Sequence, residues 1–278
     1  MPVETVSATM DRTDPYSMIV LYEHPLSPYV QKVKIALREK GIPFELRRAG
    51  GRGAGAEIAD FLDGNPRAEV PFLLHEGLRL FDSTIQLDYL EEAFPDPPLM
   101  PPDPAARAQA RSIEEVMDTH YEAVNWGLGE LRYFRRAEGR DAADLKAAAR
   151  RQIAGFHAWL EARLAPGAEW FCGPFGRADL SVVPFLNASA SFGFPPPEGS
   201  ALIAWLARAN ARPAVAQTVA EARAAVAEMA NVHKALEAGR FRRQYRDHRL
   251  EWMIKSGGLQ VVLDGIGRDT IRFTPDMD

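Results

Sequence analysis

Residues 18–41 read MIVLYEHPLSPYVQKVKIALREKG, and this stretch decides the fold. The apolar run at 18–22 predicts a buried strand, and apolar residues at helical spacing after Ser27 predict an amphipathic helix. Ser27 stands directly before Pro28, which is typical of an N-cap followed by proline at the first helical position. The free N–H groups and the dipole of a helix N-terminus favour a thiolate, carboxylate or phosphate. We therefore expect an anion to bind beside Ser27.

The residues that follow predict a small mixed sheet. Gly41 and Pro43 end the first helix. The elements predicted after them are a strand at 44–48, a hairpin of strands at 72–74 and 78–81, and an amphipathic helix that starts at Asp82-Ser83. The loop at 50–55 is rich in glycine but lacks the Gly-Lys-Ser/Thr ending of a phosphate-binding loop, so we interpret it as a flexible connector.

A proline-rich segment separates two regions of different character. Six prolines fall within residues 95–104, a density that excludes helix and strand and suits a semi-rigid linker. From Ala105 onward the sequence predicts a bundle of helices. We therefore divide the chain into a flexible N-terminal extension at 1–17, an α/β domain at 18–94, the linker at 95–104, an all-α domain at 105–227 and a C-terminal extension at 228–278.

The C-terminal extension mixes helical and strand-like patterns. Its basic run from Arg240 to Arg249 is interleaved with acidic residues, which is typical of a solvated or interface-facing helix, with anion binding as the alternative. Short apolar runs at 259–263 and 270–273, separated by turn residues, predict a β-hairpin. We expect the extension to pack over a dimer interface or over the substrate cleft.

Composition narrows the possible functions. The chain has 278 residues and a formal net charge of −5, with no apolar run long enough for a membrane helix. This charge does not favour nucleic acid or an anionic membrane as a partner. The single cysteine, Cys172, excludes an internal disulfide framework, and the six scattered histidines do not predict a metal site. We expect a cytoplasmic protein without a metal.

Three motifs of the α/β region fall where helices or strands start: Ser27-Pro28, Val70-Pro71 and Asp82-Ser83. Together with the proline-rich linker and the helical region, they resemble the glutathione S-transferase superfamily over about residues 18–226. The resemblance implies a thioredoxin-like N-terminal domain, an all-α helical-bundle C-terminal domain, a homodimer and glutathione as co-substrate. It also implies a detoxifying transferase that adds glutathione to a small hydrophobic electrophile.

The resemblance to serine-type, tau-like members gives Ser27 a specific role. Ser27-Pro28-Tyr29-Val30 stands where glutaredoxin-like relatives carry Cys-Pro-Tyr-Cys, so thiol–disulfide exchange is disfavoured. The resemblance implies that the Ser27 hydroxyl donates a hydrogen bond to the sulfur of glutathione. Lowering a thiol pKa of about 8.5 by roughly two units requires about 2.7 kcal/mol. A charge-assisted hydrogen bond of about 1.5–3 kcal/mol and a helix terminus of about 0.3–1 kcal/mol together suffice. The alternative is that Ser27 is a helix cap only.

The other two motifs would bind the rest of glutathione. By resemblance, Val70, joined to Pro71 by a cis peptide, offers its backbone N–H and C=O to the cysteinyl unit. Asp82 pairs with the γ-glutamyl ammonium, while Ser83 and the helix N-terminus receive the γ-glutamyl carboxylate. The alternative for Asp82 and Ser83 is an ordinary capping pair.

Two positions depart from the family pattern. Glu69 stands where many relatives carry glutamine, lysine or arginine near the glycyl carboxylate of glutathione, and a carboxylate there repels that group unless it points away. We take Lys40 as the substitute contact. Gly176 stands where relatives often carry serine or threonine at the cap of a core helix, and we expect only a small effect on stability.

The second substrate is expected between the two domains. The aromatic residues predicted to line its pocket are Tyr29, Tyr121, Trp126 and Tyr133. Glutathione-dependent lyase, dehalogenase or isomerase chemistry stays open, as does a non-catalytic binding or assembly role. The presence of Ser27 together with the other two motifs argues against the non-catalytic role.

Overall fold

The computed structural model of the chain describes residues 18–49, 61–240, 250, 253–254 and 256–271. The predictions for the N-terminal extension at 1–17 and for the glycine-rich loop at 50–55 lie outside the described residues. Most of the basic run at 240–249 lies outside them as well.

Within the described residues, the α/β region forms a four-stranded mixed sheet. Its strands are β1 at Ile19–Glu23, β2 at Phe44–Arg48, β3 at Phe72–His75 and β4 at Leu78–Phe81. The spatial order is β2-β1-β3-β4, in which β1 is parallel to β2 and the other two pairs are antiparallel. Helix α1 at Pro28–Glu39 connects β1 to β2, and helix α2 at Ser83–Ala93 follows β4. The predicted thioredoxin-like architecture is confirmed.

Helix α1 forms because a capping residue stands directly before a run of apolar residues at helical spacing. Ser27 is the N-cap and Pro28 is the first helical residue, as predicted. The buried apolar face includes Val30, Val33 and Leu37. At the other end, Gly41 has a φ of 64°, which favours glycine, and the N–H of Ile42 donates to the last turn. The turn between β1 and α1 therefore holds Ser27 at the end of the central strand.

The described residues after the proline-rich segment are predominantly helical, which confirms the predicted all-α region. The helices are α3 at Pro104–Val116, α4 at Glu122–Arg132, α5 at Gly139–Glu161, α6 at Arg177–Ser191, α7 at Ala201–Asn210, α8 at Pro213–Ala225, α9 at Val232–Glu237 and α10 at Leu259–Gly267. A π-helical segment at Met117–Tyr121 joins α3 to α4, and a 3₁₀ segment at Val226–Asn231 joins α8 to α9. Helix α1 packs against α6 and α8, so one continuous core runs through both regions.

The predicted C-terminal hairpin is wrong in its first half. Residues 259–263 are helical and form the start of α10, while residues 272–273 lie outside the described part of the chain. Val262 and Gly265, which lie one helical turn apart, are the buried residues of α10, and Gly265 packs tightly against Ile271. A short apolar run does not by itself distinguish a strand from a helix with one packed face.

Helix α6 begins where two chain segments approach closely. The Asp179 carboxylate accepts hydrogen bonds from the Gly176 N–H at 3.1 Å and from the Trp205 indole N–H at 2.9 Å. The Arg177 N–H donates to the Leu99 carbonyl at 2.7 Å, and a Cβ at Gly176 would clash with that same carbonyl. Glycine is therefore required at this cap. The sequence analysis expected Gly176 to have only a small effect on stability, and this expectation is wrong because the cap has no space for a Cβ.

A partly buried group of charged and polar side chains, with Lys32, Glu114 and Arg177 fully buried at its centre, joins the two regions. This Glu114 cluster consists of Lys32 on α1, Thr84 and Asp88 on α2, Glu114 on α3, Asp118 in the π-helical segment and Arg177 on α6. The Glu114 carboxylate accepts from Lys32 Nζ at 2.8 Å and from Arg177 Nε at 2.5 Å. Lys32 Nζ also binds Asp118 at 2.5 Å. The cluster ties α1 and α2, whose first turns carry the predicted site, to the helical region.

Candidate functional site

A cleft of about 1970 Å³, the main cleft, lies between the α/β region and the helical region. The sequence-predicted residues that line it are Ser27, Tyr29, Val70, Pro71, Asp82, Ser83, Trp126 and Tyr133. Residues of the C-terminal extension also line it: Glu228, Met229, Leu250 and Ile254. The three sequence motifs thus meet in one cleft, and part of the extension lies over it.

Ser27 is held in the cleft by the turn that precedes α1. Its N–H donates to the His24 carbonyl at 2.9 Å, and the buried Gln31 amide donates to the Pro25 carbonyl at 2.8 Å. The Ser27 hydroxyl oxygen accepts from the Val30 N–H at 3.4 Å, which is the capping contact. A serine hydroxyl has one donor and two acceptor positions, so capping leaves its O–H able to donate. The cap and the hydrogen bond to a ligand are therefore compatible roles.

Val70 and Pro71 lie at the start of β3 on the wall of the main cleft. The peptide bond between them is cis, as predicted. The first paired residue of β3 is Phe72, so Val70 stands two residues outside the ladder. The Gln86 amide donates to the Pro71 carbonyl and to the Leu80 carbonyl, at 2.9 Å each. This buried amide fixes the segment against α2.

Asp82 caps α2 in a left-handed backbone conformation. Its φ of 75° is uncommon for a residue with a side chain, and such conformations cluster at functional sites. One carboxylate oxygen accepts from the Thr84 N–H at 2.9 Å, and the other lies 3.3 Å from Arg67 Nη1. Ser83, the first residue of α2, is buried. The capping role is thus present, and the remaining lone pairs of the carboxylate can still accept a ligand N–H.

The structure contradicts the role predicted for Lys40. Lys40 is the C-cap of α1, about 20 Å from the Ser27 end at 1.5 Å per residue. Its buried ammonium binds Glu91 at 2.9 Å and donates to the Phe94 and Pro97 carbonyls at 2.8 Å. It does not line the main cleft. Lys40 stabilises the chain after α2 and is not a ligand contact.

Arginines that the sequence analysis missed bring positive charge to the cleft. Arg48, Arg67 and Arg223 line it. Arg67 Nε binds Glu69 at 3.0 Å, so the carboxylate that departs from the family pattern is neutralised from within the loop. No motif marks these arginines, and their convergence becomes visible only when the loop at 67–69 and α8 are placed in space.

The predicted aromatic residues divide between the cleft and the core. Tyr29, Trp126 and Tyr133 line the main cleft, and the Tyr29 hydroxyl donates to the Asp118 carbonyl at 2.6 Å. Tyr121 was the wrong choice, because it is fully buried and hydrogen-bonds with His157 Nε2 and Ser189 Oγ, at 2.9 Å each. Its partners and its burial make it a core residue.

Acidic side chains form the opposite wall of the cleft. Burial raises the pKa of Asp118 to about 6, although the Lys32 ammonium opposes the rise. Burial and, to a smaller extent, the charge of Asp118 raise the pKa of Glu122 to about 7. Each carboxyl is therefore neutral over part of the pH range in which an exposed carboxyl is charged. The sequence analysis did not single out either residue.

Three further observations concern metal ligands, membrane-spanning helices and the cysteine thiol. Among them, no three His, Cys, Asp or Glu side chains come together in a way that could hold a metal ion. No helix in the same part of the chain has the length and apolarity needed to cross a membrane. Cys172 is partly buried, and burial followed by the charge of Asp179 raises the pKa of its thiol to about 11.

Comparisons with known proteins agree with this geometry. The model of the glutathione S-transferase N-terminal domain matches residues 21–98. A stringent starvation protein A homolog from Coxiella burnetii is 38% identical over 97 residues, which are 35% of this chain and 45% of that protein. The chain thus covers less than half the length of that relative.

Two further relatives match over greater lengths. A probable glutathione S-transferase from Oryza sativa subsp. japonica is 33% identical over 180 residues, which are 60% of this chain and 72% of that protein. The crystal structure of a rice glutathione S-transferase in complex with glutathione has 28% identity and a TM-score of 0.65, and covers 80% of this chain and 98% of that one. On fold, motifs and these similarities, the chain belongs to the glutathione S-transferase superfamily.

Proposed function

We propose that this chain is a glutathione transferase that uses the Ser27 hydroxyl to stabilise the thiolate of glutathione for attack on a hydrophobic electrophile. The observation that carries the proposal is the position of Ser27, at the N-terminus of α1 and inside the main cleft that the other two motifs also line. Support comes from the relatives named glutathione S-transferase and from the rice structure that contains glutathione.

In this proposal glutathione spans the two helix N-termini. Its thiol lies against Ser27, its cysteinyl backbone pairs with Val70, and its γ-glutamyl end meets Asp82 and Ser83. The ammonium of that end lies against the Asp82 carboxylate, and the carboxylate lies against the first turn of α2. Lys40 is excluded as the contact of the glycyl carboxylate. We assign that contact to the arginines that line the cleft.

The remaining predictions stay proposals of the same kind. We propose a cytoplasmic homodimer with a detoxifying role and with the domain boundaries given above, including the linker at 95–104. Lyase, dehalogenase and isomerase reactions begin with the same thiolate, so product analysis with a panel of electrophiles separates them from conjugation.

The proposal predicts that Ser27→Ala lowers kcat/KM for conjugation by about 10- to 100-fold, because one charge-assisted hydrogen bond of about 1.5–3 kcal/mol is lost. The rise of kcat/KM with pH should also move to higher pH, because the bound thiol keeps a higher pKa. Both quantities follow from initial rates measured between pH 5.5 and 9.

Ser200→Ala is the matched control. Ser200 caps α7 and accepts from the Ile203 N–H at 3.1 Å, away from the cleft. The Ser200→Ala variant should lose a similar capping energy of about 1 kcal/mol, without any change in the pH dependence of kcat/KM. Equal kinetics of the two variants would contradict the catalytic role of Ser27. Calorimetry that detects no binding of millimolar glutathione would overturn the proposal as a whole.

A further inference from the structure

His24 lines the main cleft and has no role in the proposed function. It is a partly buried residue in the turn between β1 and α1. Its backbone carbonyl accepts the Ser27 N–H at 2.9 Å, so the backbone of His24 helps to hold the proposed thiol-binding serine. The imidazole ring of the same residue is therefore a titratable group placed in the turn that carries Ser27.

A hydrogen bond determines which ring nitrogen of His24 carries the proton. Nδ1 accepts the Leu26 N–H at 3.3 Å, so Nδ1 itself is unprotonated. Burial, followed by the charge of Arg48, lowers the pKa of the ring, and the charges of Glu228 and Glu23 oppose this effect. The ring is therefore neutral near pH 7 and carries its one proton on Nε2. In this form His24 donates from Nε2 and cannot take the proton of a thiol.

The Nε2–H donor of His24 is available to a ligand. Nε2 has no hydrogen-bond partner among the residues that the structure describes. It is also absent from the unpartnered side-chain atoms that packing seals from solvent. A ligand in the cleft can therefore reach this donor, in contrast to a buried polar atom.

The ring lies close to the place where the second substrate reacts. Leu26, whose N–H binds the ring, directly precedes Ser27, which places Nδ1 within roughly 9 Å of the Ser27 Cα. Glu228, whose charge acts on the ring, belongs to the part of the C-terminal extension that lines the cleft. The three sequence motifs and the arginines account for the groups of glutathione in the proposed function. The His24 donor is left for the electrophile.

An electrophile that gains negative charge on an oxygen atom matches such a donor. When a thiolate adds to the β-carbon of an α,β-unsaturated carbonyl compound, the C–S bond forms and the π electrons of the C=C bond shift to give an enolate. The α-carbon then takes up a proton from solvent, which replaces the proton that the thiol released. A fixed N–H beside the enolate oxygen stabilises the transition state more than the substrate.

We propose that His24 is a catalytic residue for the second substrate, and that its Nε2–H donates a hydrogen bond to the carbonyl oxygen of an α,β-unsaturated ketone or aldehyde as the enolate forms. The inference rests on the proposed function, because the attacking thiolate is the one bound at Ser27. It adds to that function a residue on the electrophile side and a reaction, conjugate addition.

Two phenyl compounds test the inference: 4-phenyl-3-buten-2-one, which reacts by conjugate addition, and benzyl chloride. With benzyl chloride the C–S bond forms, the C–Cl bond breaks and chloride leaves with the bonding electrons, so no negative charge develops on oxygen. Effects on the glutathione thiolate are common to both reactions. The ratio of kcat/KM for the ketone to kcat/KM for the chloride therefore reports on the carbonyl oxygen.

His24→Asn removes the Nε2 donor and keeps the turn, because the asparagine oxygen replaces Nδ1 as the acceptor of the Leu26 N–H. We expect kcat/KM to fall by about 10- to 100-fold for the ketone and by less than about threefold for benzyl chloride. His24→Gln carries an N–H donor to the position of Nε2 and should restore part of the ratio. His120→Asn makes the same chemical change outside the cleft and should keep the wild-type ratio.

The outcomes separate this inference from the proposed function. Equal losses with both electrophiles in His24→Asn would overturn the inference and leave the transferase standing, because His24 would then act only through the turn. A raised KM for glutathione with an unchanged ratio would also overturn it, in favour of a contact with glutathione. Absence of turnover of both electrophiles by the wild type would overturn the proposed function together with the inference.

Nitrogen NMR of the wild-type protein checks the state of the ring independently of turnover. The imidazole signals that His24→Asn removes should show the proton on Nε2 and a bare Nδ1 at neutral pH. A proton on Nδ1 would contradict the inference.

Discussion

At the scale of single residues, Glu122 shows how burial changes a carboxyl group. Its pKa is raised from 4.5 to about 7 by burial and by Asp118, so the folded chain keeps a proton that the unfolded chain releases. Between these two values the unfolded state binds fewer protons than the folded state. The stability that this group contributes is therefore present below pH 4.5 and is lost as the pH rises through about 7.

Glu122→Gln should remove this dependence. We expect the wild type to lose stability relative to the variant as the pH rises from about 4.5 to 7, with a constant difference above that range. Urea unfolding at a series of pH values, with Glu92→Gln as a correction for net charge, measures the difference. A difference that stays flat across the range would contradict the raised pKa.

Residue roles could be predicted from sequence where the signal is local. Ser27 and Asp82 were identified because an N-cap is defined by its own residue and the next few, and both cap as predicted. Lys40 and Tyr121 were misassigned, because the sequence shows that they lie on helices but not which neighbours cover them. The acidic side chains of Asp118 and Glu122 on the wall of the cleft went unnoticed for the same reason, since only packing buries them.

At the scale of elements, the start of α6 depends on the space around one glycine. Gly176→Ser should destabilise the protein by about 2 kcal/mol, although serine is the better N-cap by a few tenths of a kcal/mol. The physical reason is the clash of a Cβ with the Leu99 carbonyl, which already accepts the Arg177 N–H. Denaturant unfolding gives the change in the free energy of unfolding.

Gly127→Ala is a suitable control for that experiment. Gly127 lies inside α4, and a Cβ there meets nothing within 4 Å. Alanine should stabilise this helix by up to about 1 kcal/mol. A neutral or stabilising Gly176→Ser would contradict the clash between a Cβ at this position and the Leu99 carbonyl.

Elements whose ends are marked by capping or turn residues could be predicted. The π-helical segment and helix α10 could not. Ser27-Pro28, Gly41 and the hairpin turn at 75–77 mark the ends of α1 and of the strands, and the predicted elements form there. The π-helical segment at Met117–Tyr121 has no such mark, because it lies inside a continuous run of helix without a cap or turn residue at either end. Helix α10 has no such mark either, since a short apolar run fits the periodicity of a strand and that of a helix equally.

At the scale of the whole molecule, the Glu114 cluster joins the two regions by charge in addition to the shared core. Lys32→Met should destabilise the protein by about 3–5 kcal/mol, because Glu114 and Asp118 stay buried with one cation fewer. Lys146→Met on the exposed face of α5 is the matched control and should be nearly neutral. Urea unfolding monitored by tryptophan fluorescence measures both.

A second substitution separates lost charge balance from lost packing. Adding Glu114→Gln to Lys32→Met removes one of the stranded carboxylates, so the double variant should be less destabilised than the sum of the single variants. Strict additivity would show that Lys32 and Glu114 act independently, against the 2.8 Å contact between them.

The order of the elements, β-α-β then β-β-α and a proline-rich break before the helices, could be predicted from the sequence, whereas their thioredoxin-like arrangement was implied by the family resemblance. The packing of the two regions against each other could not be predicted, since the ion pairs that join them link Lys32 and Arg177, far apart in the chain, to the same Glu114 carboxylate.

The raised pKa of Cys172 bears on how this chain reacts with alkylating agents. Burial raises the pKa of this thiol to about 11, so the thiol is almost entirely protonated at pH 7, and only the thiolate attacks alkylating agents. It is the single cysteine of the chain. Under the proposed function, the chain therefore offers its electrophilic substrate almost no competing thiolate of its own.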